Sequence, residues 1–225
     1  MQEALNKNIP IWDDIYKSGG SILNYPCEDL VTSVSRYFSG VEKKGKKILD
    51  IGFGSGNNLE FLARCGFECS GVDVSPAAVA YTKERLAKAG FQADLNCLTE
   101  NKYPFEDNHF DVVFGWHVLS YNNKESLNMA LSEIKRVLKP GGIFLATFPT
   151  YKEFRVVYSK QIEKNYFEFT HEESNQKGVM LVAAETEEDV KEMFKDFPNL
   201  EIGYSEITVK GIVNSHWLLF SKENV

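Results

Sequence analysis

The chain has 225 residues, 43% of them hydrophobic, and a formal net charge of −7. That is enough apolar material for one substantial core, and the charge is wrong for a general phosphate-backbone binder, so no nucleic-acid partner is expected. No run approaches the roughly 18 apolar residues of a membrane span, and Met1-Gln2-Glu3 leads into no secretory apolar region, so a soluble, cytoplasmic protein without a membrane partner is expected.

Along the chain, apolar runs alternate with helical periodicities, the pattern of an α/β fold with a largely parallel, doubly wound sheet covered on both faces. Cys27, Leu30, Val31, Val34, Tyr37 and Phe38 recur at helix spacing between Pro26 and Gly40. A first strand is predicted over 47–51, followed by a helical pattern from Asn57 to Cys65 that Gly66 closes. A second strand follows over 68–72, then Ser75-Pro76, a cap residue with proline in the first turn, opens a helix that ends at Gly90. A short third strand is predicted over 92–95 and a fourth over 110–116.

Leu127, Leu131, Ile134 and Leu138 then mark a helix that Lys139-Pro140-Gly141-Gly142 breaks. A fifth strand is expected over 143–148. Residues 151–184 are rich in aromatics and charges, with a hairpin signal at 175–178. A helix over 187–197 and two final strands, 202–209 and 216–220, complete the chain. There is no internal repeat, and a single domain is expected over residues 1–225. Trp217 reads as core.

The chemistry concentrates at two strand ends. Ile48-Leu49-Asp50-Ile51-Gly52-Phe53-Gly54-Ser55-Gly56 is an apolar run that ends in an acid and three glycines at alternating positions. A glycine turn between a strand and a helix lets backbone N–H groups and a helix N-terminus approach a ligand closely. Asp73, closing Gly71-Val72-Asp73, sits where a carboxylate accepts from both hydroxyls of a ribose. Together they imply a ribose-bearing cofactor. The third glycine of a dinucleotide-binding Gly-x-Gly-x-x-Gly would fall at position 57, which is Asn57.

The four cysteines (Cys27, Cys65, Cys69, Cys97) and four histidines (His109, His117, His171, His216) show no paired ligand spacing. Reduced thiols and no metal are expected, with Cys27 as the buried start of the first periodic helix.

The series Asp50-x-Gly52-x-Gly54-x-Gly56 resembles the first motif of the class I S-adenosylmethionine-dependent methyltransferases of the small-molecule type. Gly71-Val72-Asp73-Val74-Ser75 is similar to their second motif. Pro104-Phe105-Glu106-Asp107-Asn108-His109-Phe110-Asp111-Val112-Val113 and the stretch Glu133 to Gly142 resemble later segments, in the right order over about residues 45–150.

The resemblance implies a Rossmann-like three-layer αβα fold with seven strands in order 3-2-1-4-5-7-6 and the last antiparallel. It also implies a helical cap over 1–44, a cofactor core over 45–150, a substrate-roof insert over 151–184, and a closing helix and strand pair over 185–225. S-adenosylmethionine is then the cofactor, S-adenosylhomocysteine the product, and a small molecule the methyl acceptor. Gly52, Phe53, Gly54 and Gly56 pack against the methionine part and Asp50 meets its ammonium. Asp73 holds the ribose with Val74 beside the adenine, while Asp94 and Leu95 take the adenine edge.

Trp116 and His117 leave the fourth strand where donor and acceptor meet. His117, then Tyr121, is the candidate general base where the acceptor must lose a proton. Tyr16, in Trp12-Asp13-Asp14-Ile15-Tyr16, either caps the methionine end or anchors a terminal helix. The aromatics Tyr151, Phe154, Tyr158, Tyr166, Phe167 and Phe169 either line an acceptor pocket or pack the insert onto the sheet. The Asn/Asp-Pro-Pro-Tyr/Phe sequence of amino-group methylases of DNA and glutamine is replaced by Gly115-Trp116-His117-Val118, which disfavours that acceptor class. Two other readings stay open: a nicotinamide-dependent oxidoreductase, and a cofactor-binding sensor that does not methylate.

Overall fold

A computed structural model describes residues 3–99 and 102–223. Met1 and Gln2, at the start scanned for a leader, and Glu100 and Asn101, between the third and fourth strands, lie outside the described residues.

The main sheet is built from β1 (Lys47–Ile51), β2 (Glu68–Asp73), β3 (Asp94–Cys97), β4 (Phe110–Gly115), β5 (Leu138–Pro149), and the late strands β9 (Glu201–Val209) and β10 (Ile212–Lys222). Their order is β3-β2-β1-β4-β5-β10-β9, the expected order with the chain's last two strands at positions seven and six. β10 runs antiparallel to both β5 and β9. Central strands read as continuous apolar runs because both faces are covered, and Ile48, Leu49, Val112, Val113 and Phe114 are each at most 1% exposed.

The covering helices are α2 (Glu28–Tyr37), α3 (Asn57–Arg64), α4 (Pro76–Lys88), α5 (Lys124–Val137) and α7 (Glu187–Met193). Their starts follow from local chemistry. Ser75 caps α4 by accepting from the Ala78 N–H at 3.1 Å, with Pro76 in the first turn, and Asn123 caps α5 through Ser126 at 2.7 Å. Thr186 and Asp189 form a reciprocal capping box on α7.

Several features differ from the sequence reading: the helix expected over 187–197 ends at Met193, the last strand begins at Ile212 instead of 216, and three further differences bear on the architecture. The Lys139 to Gly142 break is an irregularity inside β5: pairing jumps from Phe110↔Leu138 to Val112↔Ile143, so the strand starts at Leu138. The third strand spans Asp94–Cys97, two residues later than expected, because Ser70 pairs with Asp94 and Asp73 with Cys97. Phe91 and Ala93 pack against the core from the approach to the strand. The insert folds into an antiparallel sheet of its own, from β6 (Ser159–Glu163), β7 (Tyr166–Phe169) and β8 (Met180–Val182), preceded by the short helix α6 (Phe154–Val157).

The N-terminal helix α1 (Glu3–Lys17) crosses the carboxyl edge of the main sheet to reach both α4 and β8. Asn8 fastens it there. Its Nδ2 donates to the Met180 carbonyl at 2.9 Å and the Tyr121 carbonyl at 3.1 Å, and its Oδ1 accepts from the Met180 N–H at 2.9 Å.

Candidate active site

The loop after β1 turns three times through the left-handed region, at Gly52 (φ 63°), Gly54 (φ 51°) and Gly56 (φ 72°). A side chain at any of the three would also collide with a neighbour: Val118 at Gly52, the Tyr16 hydroxyl at Gly54 and Thr82 at Gly56. These glycines therefore serve close packing as well as backbone freedom.

Asp73 clips the loop from the next strand. Its Oδ2 accepts from the Gly54 N–H at 2.8 Å and its Oδ1 from the Ser75 N–H at 2.9 Å, and the Val74 N–H also acts on this carboxylate. Burial raises this carboxyl, an effect that those N–H groups offset in part.

Asp50, at the end of β1, is 2% exposed, and its Oδ2 has no hydrogen-bond partner among the described residues. Burial first and the neighbouring Asp73 second hold it well above the usual carboxylate range. Two buried acids thus share one end of the sheet, and among the described residues no Lys or Arg lines the crevice beside them. Burying charge without a partner is costly, so a site of this kind suits a ligand that brings positive charge.

The crevice runs from Ile51, Gly52, Asp73 and Val74 across to His117, Val118, Leu119 and Tyr121, and is roofed by Asn8, Ile9, Trp12 and Tyr16 of α1. It encloses about 970 Å³ of empty space including its mouth. Tyr16 lies over Gly54, and Trp12 packs edge-on against Tyr121 with centroids 4.8 Å apart. The roof is therefore α1. Of the insert aromatics, none lines the crevice. Phe167 and Phe169 are buried in a satellite cluster against which Tyr151, Phe154 and Tyr121 pack.

Of the expected cofactor residues, Tyr16, Gly52, Asp73 and Val74 meet at this crevice, while Asp50, next to the lining residue Ile51, is not itself part of the lining. Gly54 and Gly56 shape the loop through their backbones. The Phe53 side chain turns away into the core, where it fills the space against Gly71. Trp116 also turns away, buried and donating through Nε1 to Asp29 at 2.9 Å. The two-residue shift of β3 removes Asp94 and Leu95 from the site: Asp94 opens the strand, exposed and accepting from Asn96, while Leu95 packs towards Gly71. The strand instead delivers Leu98 to the crevice, with its N–H donating to the Asp73 carbonyl at 2.7 Å. Tyr103, Leu98 and the α5 residues Ser126 and Ala130 were not read from the sequence. A register of β3 set by its pairing with β2 was the missing signal for Leu98.

His117 follows β4 in the left-handed region (φ 55°). Its N–H donates to Thr147 Oγ1 at 2.8 Å, and its Nδ1 meets His216 Nε2 at 3.1 Å. Burial pushes the imidazole down to about 4, so it is neutral at physiological pH. Behind it, Glu153 accepts from the Ser215 N–H at 2.9 Å and pairs with Arg155 at 3.0 Å. Tyr121 is raised above its ordinary value by burial.

A doubly wound sheet with a glycine turn at its first strand and an acid closing its second defines the Rossmann-like class of nucleoside-cofactor domains. Residues 48–142 match the family described as Methyltransferase domain, and this core belongs to the class I S-adenosylmethionine-dependent methyltransferases. The chain is 34% identical over 98 residues to a demethylmenaquinone methyltransferase of Tropheryma whipplei, covering 44% of this chain and 39% of that protein. A protein of the same name from Renibacterium salmoninarum is 28% identical over 179 residues, covering 75% and 70%. In three dimensions, the Burkholderia thailandensis 1,6-didemethyltoxoflavin-N1-methyltransferase superposes with a TM-score of 0.73 at 11% identity, covering 100% of this chain and 90% of that one. The chain thus spans about two fifths of the length of the first of these relatives, and the structural likeness speaks to the fold.

Proposed function

We propose that the protein transfers a methyl group from S-adenosylmethionine to a small, largely apolar acceptor. The observation that carries this reading is the pair of buried carboxylates, Asp50 and Asp73, with an orphaned Asp50 oxygen and, among the described residues, no cationic side chain in the crevice. S-adenosylmethionine brings an ammonium and a sulfonium to such a site, whereas a nicotinamide dinucleotide brings a pyrophosphate that these acids repel. Asp50 pairs with the ammonium, and Asp73 accepts from the ribose hydroxyls while it holds the Gly54 N–H.

The cofactor supplies a methyl already activated on a sulfonium. The chain's own contribution is therefore alignment and a dry site. Ile9, Trp12, Val118 and Leu119 provide apolar walls, and α1 closes over them. Tyr16 covers the glycine loop, so ligand entry requires α1 to move. His117, neutral and backed by His216, faces the crevice as the group able to accept a proton from the acceptor. The relatives named for demethylmenaquinone support an apolar acceptor.

Isothermal titration with S-adenosylmethionine and with NAD separates cofactor classes. Binding of the first and not the second is expected, and the reverse overturns the reading. Incubation with methyl-labelled cofactor and a cell metabolite extract then tests transfer. Binding without transfer to any fraction would point to a sensor.

A further inference from the structure

We infer that Cys27, Asp29 and His117 form a zinc site beside the crevice. Cys27 and Asp29 bracket the first residue of α2, and His117 follows β4, ninety residues on. The fold brings one donor atom from each, the Cys27 sulfur, an Asp29 carboxylate oxygen and a His117 ring nitrogen, within 4.8 Å of one another. Ligands 2.0–2.3 Å from a tetrahedral ion stand roughly 3.4–3.8 Å apart, so the side chains need to close by about 1 Å.

Two of the three donors, those of Asp29 and His117, are already oriented by a second group, as ligands at metal centres are. Asp29 Oδ1 accepts from Trp116 Nε1 and from the Leu30 N–H, both at 2.9 Å. The other oxygen is left for an ion. His117 Nδ1 is engaged by His216 Nε2 at 3.1 Å, which assigns coordination to Nε2. The backbone at Cys27 is held through Asn58 Oδ1 at 3.1 Å, and the left-handed backbone at His117 (φ 55°) directs its ring. All three residues are partly exposed, so an ion can reach them.

One thiolate, one imidazole and one carboxylate form a borderline-soft set that suits Zn²⁺ over Mg²⁺ or Ca²⁺. Three protein ligands leave the fourth position open, next to a residue that also lines the crevice. The site does not rest on the proposed methyl transfer, but it competes with the proton-accepting role proposed for His117, whose Nε2 would then bind the ion.

The test uses full-length protein stripped with a chelator and titrated with Zn²⁺ and, as a spectroscopic stand-in, Co²⁺. One equivalent of either ion is expected to bind, with a thiolate-to-cobalt charge-transfer band and tetrahedral d–d bands. Cys27→Ser removes the charge-transfer band, and Cys97→Ser, which alters the exposed cysteine, retains it. Asp29→Asn keeps the band and weakens Zn²⁺ binding tenfold or more. Absence of stoichiometric binding to the unaltered chain, or a thiolate band that survives Cys27→Ser, overturns the site.

Discussion

Replacing Asp50 by asparagine separates the cost of its charge from its use. In the free protein this carboxylate is buried beside Asp73, with one oxygen unpartnered. Its value is raised in the folded state. The stability it contributes is therefore fully present below the ordinary carboxylate value of 3.8, and is lost as pH rises through the raised one. Asp50→Asn keeps the shape and removes the titration, so the free variant should match the parent in acid and exceed it increasingly towards neutral pH.

With S-adenosylmethionine bound, the sign reverses. A hydrogen bond to a charged group is worth about 1.5–3 kcal/mol, and at about 1.4 kcal/mol per decade the variant should bind about 10- to 150-fold more weakly. Urea unfolding across pH measures the first effect and titration calorimetry the second. Cofactor affinity within twofold of the parent would refute the ammonium contact. A lower urea midpoint at neutral pH would refute the assignment of an uncompensated charge.

Gly52→Ala places a Cβ against Val118 on a left-handed backbone (φ 63°), and should cost about 2 kcal/mol or more, of which about 1 kcal/mol is conformational. Adding Val118→Ala should recover part of the steric share, and strict additivity in urea unfolding would contradict the contact. Asn8→Ala strands the buried N–H and carbonyl of Met180 at a cost of about 1–3 kcal/mol; amide exchange should quicken in α1 and β8, with β1 and β4 unchanged. Thr186→Ala removes the capping box of α7 and should lower global stability by about 1 kcal/mol, leaving cofactor affinity intact. A shift in that affinity would mean α7 acts on the site.

Much of this protein was legible locally. The strand β1, the glycine turn and the Ser75-Pro76 start of α4 depend on backbone conformation and neighbouring residues, which short stretches specify. Asp50 and Asp73 were readable for the same reason, because the end of a buried parallel strand is marked by where its apolar run stops. What failed was the third strand. Asp94-Leu95-Asn96-Cys97 lies at the sheet edge with one strongly apolar residue, so pairing with β2, and no internal pattern, sets its register; Asp94 and Leu95 fell with it.

The sequence by itself determined the class of sheet, the order of its first five strands and the acids at the ends of its first two strands. Only tertiary structure decided which side chains share a space. It turned Phe53 and Trp116 into the core, made α1 the roof in place of the 151–184 insert, and set His117 against His216, Cys27 and Asp29. The physical reason is that backbone preferences act over a few residues. The direction of a side chain, by contrast, follows from packing against elements that lie far away in the chain.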